Sequence, residues 1–181
     1  VLVRGYVSCV VACPFEGPVS PGAVADVCEQ LVALGIDELD LGDTIGAAAP
    51  ESIVAMLDAV TRRLGHRWLE RRAITVHLHD TFGRAAECVK ASLDRGVRSF
   101  DGSVAGLGGC PYASTPGRRA PGNIDTRLLV ETIHRAGYST GVNLDRLDEA
   151  ASYAREIVAG SRLQVGAGAG AGAGVEAKGE S

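Results

Sequence analysis

The chain has 181 residues, enough for one modest domain with a hydrophobic core, and its 46% hydrophobic and 22% charged residues suit a globular protein rather than a fibrous or disordered one. Eighteen basic and 22 acidic residues give a net charge of -4 without blocks of like charge, which argues against a nucleic-acid partner; no apolar run reaches the roughly 18 residues of a membrane span. Five cysteines, an odd number scattered at Cys9, Cys13, Cys28, Cys88 and Cys110 with no signal or transit peptide before them, argue against a disulfide framework and for reduced thiols in the cytoplasm.

In chain order, a β-type run, a turn and a helical segment closed by glycine recur four times. The first strand is expected over Val1 to Val11. Its helix opens with Ser20 as N-cap and Pro21 as first helical residue, buries Val24, Val27, Leu31 and Leu34, and ends at Gly35. The second strand, Glu38 to Leu41, precedes a helix from Pro50 that carries Ile53, Leu57, Val60 and Leu64 on one face and stops at Gly65. The third, Ile74 to His79, leads to a helix from about Arg84 to Arg95. The fourth, Ser99 to Val104, runs into a long glycine loop, after which Asp125 caps a helix ending at Gly137 and Leu144 to Val158 mark a last one. Past Gly160 the alternation of Gly and Ala has no side chains to bury, so residues 161–181 read as a disordered tail and residues 1–160 as the domain.

Strands alternating with helices indicate a parallel sheet with helical crossovers. Two architectures fit: a doubly wound open sheet, or half of an eight-stranded βα barrel. Asp43, His77, His79 and the loop after Val104 fall at or just beyond C-terminal strand ends, where barrels gather their chemistry, and this favours the barrel.

The sharpest local pattern is VHLHDTFG, Val76 to Gly83. Period-two alternation puts His77 and His79 on one face, about 6.6 Å apart along the strand, close enough to meet one metal ion. The competing reading is a packed strand histidine and a helix cap. Asp80 and Thr81 add oxygens that either orient a ligand or cap the next helix. The second pattern is VAGLGGCPYA, Val104 to Ala113, in which Gly106, Gly108 and Gly109 let backbone approach a ligand around Cys110, a reactive thiol or a buried structural one. Asn123 offers an amide oxygen to a metal or serves as a turn residue. Asp43 supports a site from its strand end or only ties down its own loop. Cys9 and Cys13 lack the further ligands of a zinc site, and Arg118 and Arg119 either meet a phosphate or are solvated.

VRGYVSC, CPFEG, LGDTIG, VHLHDTFG, SVAGLGGCPYA, the Gly122-Asn123 pair and TGVNLD together, in this order, resemble hydroxymethylglutaryl-CoA lyase. The resemblance covers roughly Leu2 to Gly160. The related condensing enzymes, isopropylmalate and homocitrate synthases, usually carry H-x-H-N-D and lack the cysteine loop.

The resemblance implies an α/β fold, the C-terminal half of a TIM-type (β/α)8 barrel equivalent to strands five to eight. It also implies a divalent-metal lyase that cleaves 3-hydroxy-3-methylglutaryl-CoA to acetyl-CoA and acetoacetate, a step of leucine degradation and ketone-body formation. By match to the family motif, His77, His79 and Asn123 would hold Mg2+ or Mn2+. Cys110 would protonate the enolate, His77 would carry a proton, Asp43 would support the site, and an acyl-CoA would lie against Gly106, Gly108 and Gly109. The family's Arg-Asp pair and the glutamate after it are absent from this sequence, and the stretch from Ala113 to Gly122 is longer than usual. The chain is therefore expected to need an N-terminal half or to associate with itself, because a half barrel exposes two sheet edges and one face of a core. A condensing acyltransferase and a fragment without turnover are the alternatives.

Overall fold

Four short parallel strands set the architecture: β1 (Arg4–Ser8), β4 (Glu38–Asp43), β5 (Ile74–Leu78) and β6 (Ser99–Asp101), with the β2 (Ala12–Cys13) and β3 (Gly17–Pro18) hairpin inserted after the first. The computed structural model describes residues 1–115, 118–120 and 122–168, apart from the side chains at 110, 113, 115, 118–120 and 161–168. It consists of two compact units, Val1–Val142 and Asn143–Ser181.

The strand order β1-β4-β5-β6 follows the chain without reversal. A doubly wound sheet would reverse at a switch point and place helices on both faces. Here α1 (Pro21–Ala33), α2 (Pro50–Leu64), α4 (Ala85–Asp94) and α5 (Thr126–Arg135) pack each against the next along one face. This is the arrangement of successive βα units in a barrel, as the positions of the polar residues had indicated.

Alternation along the strands separates two faces. Val7, Leu39, Leu41, Ile74, Val76 and Leu78 point under the helices, where they meet Val24, Ile53, Leu57, Val60, Val89 and Leu93 in one core. Arg4, Tyr6, Glu38, Asp40, Thr75, His77, Ser99 and Asp101 fall on the opposite face, as the register pairs Tyr6 with Asp40, Asp40 with Thr75 and His77 with Asp101. The open face is thus polar. Among the described residues the aliphatic side chains of the four strands lie on the helix side, so the face expected to expose half a core carries mostly polar side chains, with Tyr6 exposed on it. Val1, Leu2 and Val3 before β1 are exposed, and a groove of about 900 Å³ beside β6 is lined in part by Phe100, Leu129, Val130 and Ile133.

Several expected boundaries move. β1 is shorter than Val1 to Val11 because the chain turns at Cys9 and pairs β2 with β3. In α1 the buried residues are Val24, Ala25 and Cys28, while Val27 and Leu34 are exposed; the helix packs on α2 with its stripe rotated by one residue. A short α3 (Arg67–Glu70), unforeseen in the sequence, seats Trp68 in the core. β6 stops at Asp101, and after a 3-10 turn at Val104–Gly106 the glycine loop forms a second hairpin, β7 (Cys110–Thr115) with β8 (Arg118–Ala120). Asp125 caps α5 as expected, accepting a hydrogen bond from the Arg127 N–H. In the second unit Asn143 caps α6 (Leu144–Gly168), which runs past the expected start of the tail; residues 169–181 lie outside the described residues. Among the described residues no helix is long and apolar enough to cross a membrane.

Candidate functional site

His77 sits on β5 and His79 one residue beyond it, and alternation brings both rings to the polar face, 5.2 Å apart between centroids at 67°. Asn123 joins them through backbone pairing. Gly122 C=O accepts from Asp80 N–H at 2.8 Å, Ile124 N–H donates to Leu78 C=O at 2.9 Å, and Ser103 N–H donates to Ile124 C=O at 3.1 Å. Residues 122–124 thus extend the ends of β5 and β6, with Ile124 fully buried as the anchor and Asn123 opposite His79. The Asn123 amide N–H donates to Leu107 C=O at 2.9 Å, and its side chain stands close enough to both imidazoles to favour the protonated form of each.

The loop glycines expected to receive a ligand serve this placement. A Cβ on Gly108 would meet Asn123 Nδ2 at 2.7 Å, and one on Gly122 would meet the Gly109 backbone at 2.6 Å. Gly106, Gly108 and Gly109 all have positive φ, a conformation that side chains rarely adopt. Their absent side chains let the loop close on Asn123.

Asp43 goes elsewhere. It belongs to the buried set of β4, and its carboxylate accepts from Ala47 N–H at 3.1 Å and Ala48 N–H at 2.9 Å. Burial pushes its acid upward, offset by those N–H groups and by the Arg84 charge. Asp43 thus ties down the loop that follows β4, and it is not among the side chains that line the cavity beside the histidines. Asp80 likewise caps, accepting from Ala85 N–H at 2.9 Å. Cys110 begins β7 opposite Ala120, and its side chain lies outside the described residues, as do the side chains of Arg118 and Arg119. Burial pushes the Cys28 and Cys88 thiols up to about 12, so both are inert filler.

The cavity between the strand ends is about 330 Å³ and is bounded by Tyr6, Ser8, Asp40, Thr44, His77 and His79 together with Asp101. Three of its charged neighbours escaped the sequence reading. Asp101 accepts from His77 Nδ1 at 2.6 Å; Asp40 bonds to Asp101; Arg4 stands 3.5 Å from Asp40 Oδ2 and 2.8 Å from Glu38. Asp40 is 2% exposed, and its Oδ2 has no hydrogen-bond partner among the described residues, so burial and the Asp101 charge raise its acid to about 6. The Asp101 hydrogen bond raises His77, whereas burial and the His77 charge lower His79. The signal was there in LDLGD and RSFD: Asp40 follows buried Leu39 and Asp101 follows Phe100, so alternation sets each carboxylate on the face away from the apolar side chain.

The donors suit a divalent cation. His79 Nδ1 is buried without a hydrogen-bond partner among the described residues, Asn123 lies opposite His79 with its amide oxygen not used by the Leu107 bond, and His77 keeps its second nitrogen unclaimed by Asp101. Among the described residues no group of three or more His, Cys, Asp or Glu side chains is placed to hold a metal ion, so a set built here would have to add the Asn123 amide to the two imidazoles.

The HMGL-like family model matches residues 4–153. The hydroxymethylglutaryl-CoA lyase of Pseudomonas mevalonii is 50% identical over 143 residues, which cover 79% of this chain and 44% of that protein. The solved HMG-CoA lyase of Brucella melitensis is similar with a TM-score of 0.78 and 49% identity over 86% of this chain and 52% of that one. An HMG-CoA lyase of Acinetobacter baumannii, solved with coenzyme A and 3-methylmalate, has a TM-score of 0.70 and 35% identity, covering 82% of this chain and 46% of that one. The chain spans about half the length of the relatives it matches.

Proposed function

The chain belongs to the HMGL-like family, and from that premise we propose that it supplies the metal-binding and proton-transfer part of a hydroxymethylglutaryl-CoA lyase site, the C-terminal half of a (β/α)8 barrel. The observation that carries this reading is the meeting of His77, His79 and Asn123 at the strand ends, in a chain whose similar proteins are lyases. His77, His79 and the Asn123 oxygen would hold Mg2+ or Mn2+, a hard cation for which mixed nitrogen and oxygen donors are suited. Such an ion, when bound, polarises the tertiary hydroxyl of 3-hydroxy-3-methylglutaryl-CoA.

In this reading the hydroxyl proton leaves to a base from the Arg-Asp and glutamate set that this sequence lacks, as the carbon–carbon bond to the acetyl-CoA portion breaks, because His77 would have Nε2 on the ion and Nδ1 on Asp101. Cys110 returns a proton to the enolate carbon, leaving acetyl-CoA and acetoacetate. His77 and Cys110 lie on elements that reach the C-terminal rim, the end of the barrel where βα enzymes bind substrate. The acyl-CoA assignment rests on the coenzyme A complex of the similar Acinetobacter protein. The reading also calls for the Arg-Asp pair and glutamate that this sequence lacks, brought by a polypeptide pairing along the exposed edges of β1 and β6.

The test is acetoacetate release from the CoA thioester with manganese, by the chain alone and with the N-terminal part of a related barrel added. Cys110→Ala is expected to cut the rate about 10²- to 10⁴-fold, the span of a positioned acid. No release in either mixture would overturn the lyase reading, and CoA release with acetyl-CoA and a 2-oxo acid would favour a condensing acyltransferase.

A further inference from the structure

The two histidines of the pair are held differently. His79 has no carboxylate at its ring: its Nδ1 is buried and unpaired among the described residues, and its neighbours are the Thr44 backbone and Asn123. His77 is the register partner of Asp101, so their side chains stand side by side on the polar face, with Nδ1 to Oδ1 at 2.6 Å. Asp101 is itself braced. Asp40 bonds to it from β4, and Arg4 on β1 approaches Asp40 from beyond. Groups from all four strands thus bear on one imidazole.

This bracing decides which nitrogen of His77 faces the cavity. A carboxylate within 2.6 Å of Nδ1 requires a proton there, and the neutral ring then carries its lone pair on Nε2. The ring edge carrying Nε2 lies on the side of Gly42, and His77 and Gly42 both line the cavity at the strand ends. We propose that Asp101 is the positioning residue of this site: it fixes His77 as the Nδ1–H tautomer and so presents Nε2 to the divalent cation. The inference deepens the metal reading above and rests on it for the identity of the ligand.

The experiment follows the tautomer and the metal separately. In the metal-free chain with 15N-labelled histidine, at about pH 9 where imidazole is neutral, His77 is expected to show a protonated Nδ1 and an unprotonated Nε2. Asp101→Asn retains an acceptor oxygen and keeps this pattern; Asp101→Ala loses it and His77 moves to the Nε2–H form. Manganese affinity by calorimetry is expected to fall about 10- to 100-fold in Asp101→Ala, and less in Asp101→Asn. A carboxylate that only stabilised the fold would shift the melting temperature and leave the tautomer alone.

An Nε2–H ring in the unaltered chain overturns the proposal whether or not either variant folds. So does an Asp101→Ala chain that folds and keeps both tautomer and affinity. If the unaltered chain binds no manganese but shows the Nδ1–H ring, lost in Asp101→Ala, Asp101 still positions His77 and the metal reading fails instead.

Discussion

On one face of the sheet Leu39 and Leu41 are 0% exposed beneath α1 and α2; on the other Tyr6, paired with Asp40 across the same two strands, is 69% exposed. One face holds the unit together by burying branched aliphatic side chains against helices, each contributing about 1.5–3 kcal/mol of transfer free energy. The other holds charge, arranged in sequence from Arg4 through Asp40 and Asp101 to His77. A barrel interior is ordinarily filled by branched apolar residues, so a polar inner face marks the part of this sheet devoted to chemistry.

The comparison breaks most readily at Leu41. Leu41→Ala is expected to cost about 2–5 kcal/mol in urea unfolding, the loss from a cavity in a closed core. A cost below about 1 kcal/mol would show that the helix face is not the core.

Asp43 tests whether a carboxylate on the helix face is structural. Asp43→Ala leaves the Ala47 and Ala48 N–H groups without their acceptor and is expected to cost about 2–4 kcal/mol, with no change in manganese binding. A selective loss of metal affinity at unchanged stability would return Asp43 to the site.

Asp40 tests the polar face by pH. Its acid lies near 6 in the folded chain against an ordinary value of 3.8, so the folded state keeps a proton that the unfolded chain has released. Its contribution to stability is full below about pH 4 and is lost as pH rises through about 6. Relative to the unaltered chain, Asp40→Asn should therefore gain on the order of 1–3 kcal/mol between those values, measured by denaturant unfolding across pH. A pH-independent difference would mean that Asp40 is ionised in both states. The smallest effect belongs to Tyr6→Ser, expected within about 0.5 kcal/mol because nothing closes over that ring.

Much of this was legible along the chain. The βα rhythm, Pro50 opening α2, Asp125 capping α5 and the projection of His77 and His79 from one face all follow from local rules of period, capping and turn chemistry. Where local rules competed, the structure chose. The Asp43 carboxylate meets the Ala47 and Ala48 N–H groups, and Gly108 leaves room for Asn123, contacts that no pattern along one strand specifies.

Sequence by itself determined the family, the alternation of elements and the residues capable of binding a metal, because those depend on neighbours a few positions apart. Only the tertiary structure decided that Asp101, 24 residues after His77, would stand 2.6 Å from its Nδ1, and that Asp40 and Arg4 would brace it. Parallel register brings residues from separate βα units into one layer, and no pattern local to a single strand encodes which partner a neighbouring strand will place opposite.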